Sequence, residues 1–254
     1  VSAFLLNRSS DLLAAPGTDI LTLGHDRDDE YVPYSGTSFS APMVAGSLAL
    51  LRAQFPDDSP RALINRLLRS VDRLPEFEGK VSSGGRLNLA RALTASSSRP
   101  FNDDFAERSK LVGESVIARG SSAGATAESG EPAIPGGGGA SVWWTWTAPR
   151  SGQAMVDTDG STFDTVVAVY SGAALAQLGA PIVSNDDAPG RTTSRATFAV
   201  TKDVAYHIAV DGKGGATGFV ALNVGMAPLN DGFSAAVLLT GDTDKESGTL
   251  LNAG

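Results

Sequence analysis

The run Gly36-Thr37-Ser38-Phe39-Ser40-Ala41-Pro42-Met43-Val44-Ala45-Gly46 sets a serine where a small-residue turn enters an apolar helix. Gly36 lets the backbone pass close to a ligand, and a helix beginning just after Ser38 aims unpaired N–H groups and its positive dipole end at a developing oxyanion. Serine is a weak nucleophile at neutral pH, so Ser38 needs a base and oxyanion donors, of which its own N–H is one. The chain offers two histidines. His25 lies in the polar loop Gly24-His25-Asp26-Arg27-Asp28-Asp29-Glu30, and His207 lies in Tyr206-His207-Ile208-Ala209-Val210, where a half-exposed strand position is expected. Neither reads as the base. Ser35 and Ser40 are expected to bond nearby backbone as turn serines do, and the elbow pattern G-x-S-x-G fails because Ser40 stands two residues after Ser38.

A second constellation is made of oxygens. Asp157, Asp159, Asp164, Asn185, Asp186 and Asp187 sit in loops flanking strand-like runs and offer the hard ligands that calcium takes, with Asp159, Asp164, Asp186 and Asp187 as the metal set. Their spacing is not that of an EF-hand loop, and Asx-turns or solvated carboxylates account for the same residues. Trp143, Trp144 and Trp146 share one run. In a strand, Trp144 and Trp146 face the core with Val142, while Trp143 points the other way and is the candidate for a binding surface.

The positioning elements differ along the chain. Val44, Ala45, Leu48, Leu51 and Phe55 recur at helical spacing until Pro56, which predicts a well-buried helix. Ser59-Pro60 is an N-cap with proline in the first turn, opening a second amphipathic helix through Val71 whose Arg61, Arg66 and Arg69 are expected to form a solvated face. A short strand is expected over residues 19–23 and a last short helix over 89–93. Beyond a linker at 96–101, strand-length runs at 142–148, 153–158, 165–170, 194–200, 205–211 and 219–224 predict an antiparallel sandwich or jelly-roll, with Gly136-Gly137-Gly138-Gly139 as a mobile loop tip.

Asn102-Asp103-Asp104-Phe105 returns as Asn230-Asp231-Gly232-Phe233, and Leu111-Val112-Gly113 as Leu239-Thr240-Gly241, at a constant offset of 128 residues. That predicts one β-domain over 102–226 and the start of a second copy over 230–254. Residues 1–100 hold 11 basic and 11 acidic side chains and residues 101–254 hold 9 and 17, so the whole net charge of −8 lies in the second part. An acidic surface opposes nucleic-acid binding. The uncharged stretch 31–51 is too broken by proline, glycine and serine to span a membrane, and the absence of cysteine excludes disulfides and thiolate metal sites.

The Ser38 run resembles the nucleophile segment of the subtilisin-like serine proteases, the subtilases. Ala14-Ala15-Pro16-Gly17-Thr18-Asp19-Ile20 resembles that family's strand-entry segment and Gly84-Gly85-Arg86-Leu87-Asn88-Leu89 its closing motif, in family order. The resemblance implies that 1–95 is the C-terminal part of an α/β, parallel-sheet catalytic domain of a secreted endopeptidase. It implies Ser38 as nucleophile, Gly36 and Thr37 at the substrate, a protein or peptide substrate, and no cofactor for the chemistry. The aspartate, histidine and oxyanion asparagine are then expected upstream of Val1, leaving this chain inactive alone. Residues 101–226 resemble the pre-peptidase C-terminal β-sandwich modules of bacterial proteases, through Asn102-Asp103-Asp104-Phe105, the tryptophan run, Phe163-Asp164-Thr165 and Ser184-Asn185-Asp186-Asp187. This implies a role in secretion, maturation or attachment to a surface or polymer. The alternatives are a non-catalytic binding module and a pseudoprotease whose upstream half lacks its base.

Overall fold

The computed structural model describes residues 12–24, 27, 29–96 and 98–228. It is mainly β-sheet, with few helices. His25 and residues 230–254, with the second copy of the repeat, lie outside the described residues.

The first region is helical with short strands. β1 (Ile20–Leu23) and β2 (Tyr31–Tyr34) form an antiparallel hairpin, and Thr37–Gln54 is α1. α2 (Pro60–Arg69) begins as its sequence requires, with the Ser59 hydroxyl accepting from the Ala62 N–H at 3.2 Å. β3 (Asp72–Arg73) pairs with β4 (Gly85–Arg86), and the Asn88 side chain caps α3 (Leu89–Thr94) through the Arg91 N–H at 2.9 Å. Leu51, Leu63, Leu67 and Ala92 knit the three helices together. Parallel pairing among the described residues of this region is confined to the bridge between Ala14 and Arg86, so the expected parallel sheet is not formed there.

Two sequence expectations about these helices are corrected. α1 is not well buried: only Ser47 and Leu51 are enclosed, and Leu50 is exposed, because α2 and α3 cover one side of a helix that is apolar nearly all round. Two of the three α2 arginines, Arg66 and Arg69, do not belong to a solvated face. Arg66 is buried, holding Asp58 at 2.8 Å and stacking over the Phe55 ring at 3.7 Å, and Arg69 reaches the Pro100 carbonyl at 2.8 Å and Asp104 at 3.1 Å. They tie the helix to residues 95–104 rather than facing water, so the segment read as a linker is anchored, and Phe101 and Asn102 are buried.

Among its described residues the second region contains nine strands, β5 (Ser109–Leu111), β6 (Ser115–Ser121), β7 (Val142–Thr147), β8 (Gly152–Asp157), β9 (Thr165–Tyr170), β10 (Val183–Asn185), β11 (Arg195–Val200), β12 (Ala205–Gly212) and β13 (Phe219–Met226), together with an isolated bridge between Gly137 and Lys213. One sheet runs β10-β9-β12-β7-β5 and the other β11-β8-β13-β6; all pairs are antiparallel except β5 with β7. Val142, Trp144, Trp146 and Ile208 of the first sheet share one core with Val156, Phe198, Leu222 and Val224 of the second. β11 alternates exposed and buried residues as a half-solvated strand does, whereas every residue of β9 is buried, because the first sheet is covered on both faces.

The outer cover corrects two further expectations. Trp143 is fully buried: the Phe105 ring meets it edge-on at 5.3 Å, and Ile134, Tyr170 and Leu178 close around it. Phe105 also packs on His207 at 5.0 Å, so His207 is buried rather than half-exposed. The repeated Asn-Asp-Asp-Phe motif explains this cover. Asn102 brackets the Trp143 backbone, its carbonyl accepting at 2.8 Å and its amide donating at 3.0 Å, while the Asp103 carboxylate accepts from the Thr126 N–H at 2.7 Å and from Arg99 at 2.5 Å. The glycine run is not a free loop tip but is held to the sheet. Gly139 and Ala140 donate to the Asp211 carboxylate at 2.8 and 3.0 Å, and a Cβ on Gly138 would stand 2.0 Å from the Gly215 nitrogen.

Candidate active site

The three sequence landmarks of the first region meet in space. The Gly17 carbonyl accepts from Gly36 at 2.7 Å, and the Ser40 hydroxyl donates to the carbonyls of Ala15 and Pro16 at 3.1 and 3.0 Å. A Cβ at position 17 would lie 2.5 Å from Ser40 Oγ and 3.0 Å from the Gly36 carbonyl, so any larger residue there would have to displace the Ser40 hydroxyl from its two carbonyl partners. On the other side, Ala14 donates to Gly85 at 3.0 Å and accepts from Leu87 at 2.7 Å. Residues 14–17 are therefore the seam between the Ser38 turn and the 84–89 segment.

Ser38 is the second residue of α1, not the residue before it, and it is exposed. Gly36 is the N-cap and contributes no side chain, so the first-turn N–H groups are free of a side-chain cap; Phe39 N–H turns back to the Gly36 carbonyl at 3.1 Å. Pro42 lies inside α1 and has no N–H to give, which leaves the Ser38 carbonyl without its i+4 donor. Ser35 accepts from the Asp19 N–H at 3.0 Å and Ser40 is committed to backbone, as expected of turn serines. The Ser38 hydroxyl, by contrast, makes no hydrogen bond among the described residues. Gly36 and Thr37 flank it at the helix mouth, half-buried. Phe39 stacks on Tyr34 at 5.7 Å and fixes the turn against β2.

His207 does not serve this serine. Its Nε2 bonds the Gly172 carbonyl at 2.7 Å, which makes Nε2–H the donor and leaves Nδ1 bare and buried without a partner. Burial holds its pKa below the ordinary imidazole value, with the Arg108 charge acting in the same direction and the Gly172 hydrogen bond opposing it. The ring is a neutral core group.

The oxygen-rich loops divide into separate units. Asp157 accepts from the Asp159 N–H at 3.0 Å and from Asn223 at 2.6 Å, and Asn185 accepts from the Arg195 N–H at 2.9 Å. Asp159 does not join the metal set. The Thr193 hydroxyl at 2.6 Å, then Arg191 and Arg195, hold it below the usual carboxylate range, so its charge is spoken for. Asp164, Asp186 and Asp187 do converge, with one oxygen from each within 4.8 Å of the others. Asp164 Oδ1 and Asp186 Oδ1 are buried without partners, an oxygen supply that fits a hard cation. Lys213 already places its ammonium there, 2.8 Å from Asp186 and 3.2 Å from Asp187, and its pKa is raised by those two bonds. Sequence spacing gave no signal for this lysine: the turn Gly212-Lys213-Gly214 reaches the carboxylates only because β12 pairs with β9.

Residues 6–93 match the model of the subtilase family. Mycosin-1 of Mycolicibacterium smegmatis is 44% identical over 62 residues, covering 21% of this chain and 14% of that protein. Subtilisin-like protease SBT3.1 of Arabidopsis thaliana is 32% identical over 83 residues, covering 32% of this chain and 11% of its own length. The crystal structure of the pre-peptidase C-terminal domain of collagenase from Bacillus anthracis is 12% identical over 46% of this chain and 95% of that domain, with a TM-score of 0.31, a likeness too slight to argue from. Residues 6–93 are thus similar in sequence to the subtilase family, and the segments that converge around Ser38 lie within the matched stretch; the chain spans well under a quarter of the length of Mycosin-1 and of SBT3.1.

Proposed function

We propose that Ser38 is the nucleophile of a subtilisin-like serine endopeptidase of which this chain supplies one part. The observation that carries the reading is the contrast among neighbouring serines: Ser35 and Ser40 are bonded to backbone, while Ser38 stands exposed and unbonded at an uncapped helix N-terminus inside the family-matched segment. In the reaction, Ser38 Oγ attacks the carbonyl carbon of the scissile peptide and its proton passes to a histidine, which returns it to the leaving amine. Water then hydrolyses the acyl-enzyme by the same route. The Ser38 N–H donates to the oxyanion, Gly36 and Thr37 border the substrate, and the histidine, aspartate and oxyanion asparagine come from sequence preceding Val1 in the parent protein.

The reading extends to a secreted parent and to an accessory β-domain over 102–226 that serves secretion, maturation or surface attachment. The buried tryptophans argue against an aromatic binding platform on it. Calcium, if taken up, enters at Asp164, Asp186 and Asp187 by displacing Lys213. Among the described residues no helix is long and apolar enough to cross a membrane.

A serine-directed fluorophosphonate with peptide mapping tests the catalytic assignment. The 254-residue chain alone should remain unlabelled at Ser38, and the parent protein should be labelled there. Labelling of another serine in the parent, or of Ser38 in the isolated chain, overturns the assignment.

A further inference from the structure

A cleft of about 310 Å³ lies where the turn between β3 and β4 meets the start of β5, at the junction of the two regions. Its charges do not balance. Of its two carboxylates, Glu78 is paired with Lys110 at 3.3 Å and Glu107 with Arg69 at 3.4 Å. Its two guanidinium groups, Arg73 and Arg108, have no carboxylate partner among the described residues. Arg73 Nη2 rests 3.3 Å from the Phe101 carbonyl; Arg108 lies over the Phe105 ring at 4.2 Å, donates from Nη1 to the Phe105 carbonyl at 2.7 Å, and keeps a buried Nε with no acceptor. Beside them the Ser83 hydroxyl, on a residue 3% exposed, also has no partner.

An unpaired, partly desolvated guanidinium is costly, and burial lowers the Arg108 pKa accordingly. An unused N–H on that guanidinium, a second arginine that meets only the backbone carbonyls of Phe101 and Glu107, and a buried hydroxyl line one cleft, and its one unbonded carboxylate oxygen, Glu107 Oε2, is already neutralised by Arg69 at 3.4 Å. On a chain of net charge −8, such a surplus is local. From this arrangement we infer that the cleft binds a carboxylate group, held by Arg108 and Arg73 with the Ser83 hydroxyl as a further donor. The fork geometry of guanidinium suits a planar two-oxygen acceptor, and the cleft volume admits a short peptide end or a small dicarboxylate. The site joins residues of the family-matched segment to β5, so its occupant braces the junction.

Calorimetric titration of the 254-residue chain with an acetylated alanine tripeptide bearing a free C-terminal carboxylate, with its C-terminal amide, and with glutarate tests the inference. The carboxylate-bearing probes should bind, and the amide should bind about tenfold more weakly or not at all. Binding of the free peptide without glutarate identifies a chain end as the occupant; binding of both identifies a carboxylate from either source. R108M should cost about tenfold, and R73M and S83A, which spare the Phe105 contact, should each cost several-fold, with unchanged tryptophan emission reporting the fold. Equal binding of the amide, unchanged affinity in R73M and S83A, or no heat from any carboxylate probe at millimolar concentration overturns it.

Discussion

The helical region and the β region bury their apolar residues on different plans. In the β region three tryptophans are wholly enclosed, Trp144 and Trp146 between the sheets and Trp143 beneath the Phe105 turn. In the helical region Leu21, Leu23, Tyr31 and Leu50 are more than half exposed, and α1 is covered on one side. The chemistry is assigned to the open region and the closed packing belongs to the other. An exposed apolar helix that carries the proposed nucleophile leaves apolar surface open to a partner, whereas a double-covered sheet carries its own enclosure.

The sharpest way to break this comparison is to truncate one apolar residue in each region. Trp144→Ala should lower the stability of the β region by about 3–5 kcal/mol, and Leu50→Ala should stay within about 0.5 kcal/mol, both read from urea unfolding. Similar costs would show that α1 is as enclosed as the sheets.

A smaller effect follows from His207. Its folded pKa lies below the unfolded value of 6.5, so its contribution to stability is present above that value and is lost as pH falls, because the unfolded chain takes up the proton first. Glu131 works in the opposite sense: burial raises its pKa, so its contribution is greatest at low pH and is lost as pH rises. The difference between wild type and His207→Gln isolates the histidine. Wild type should lose more stability than the variant between pH 7.5 and 5.5; parallel urea midpoints would show that the ring is not held neutral.

The smallest expected effect concerns the rim of the closed region. Lys213→Met should strengthen calcium binding by about tenfold, since the ammonium no longer competes for Asp186 and Asp187. Equal calcium titrations for the two proteins would detach the lysine from the metal question.

Much of this architecture was legible in the chain. All six expected strand runs are strands, because Val, Trp, Phe and Ile recur between turn residues, and the Ser59-Pro60 and Asn88 helix starts are set by local capping. β5, β6 and β10 were missed: two are three residues long, and β6 contains Arg119 and Gly120 amid small residues. The face of Trp143 was read correctly, but its burial depends on a turn 38 residues earlier, which alternation within a strand cannot reveal. Arg66 misled for the same reason, since its partners Asp58 and Phe55 lie outside the helix that displays it. The motif singled out Ser38 from its neighbours; that it is the unbonded member of three neighbouring serines needed coordinates.

The four consecutive glycines at 136–139 bear on anyone who would tag or splice this protein. Composition marks them as a convenient place for an epitope or fluorophore. With the Gly139 N–H and that of the following Ala140 committed to Asp211, and no room for a Cβ at Gly138, they are instead a keyed closure of the sheet, and labels belong elsewhere.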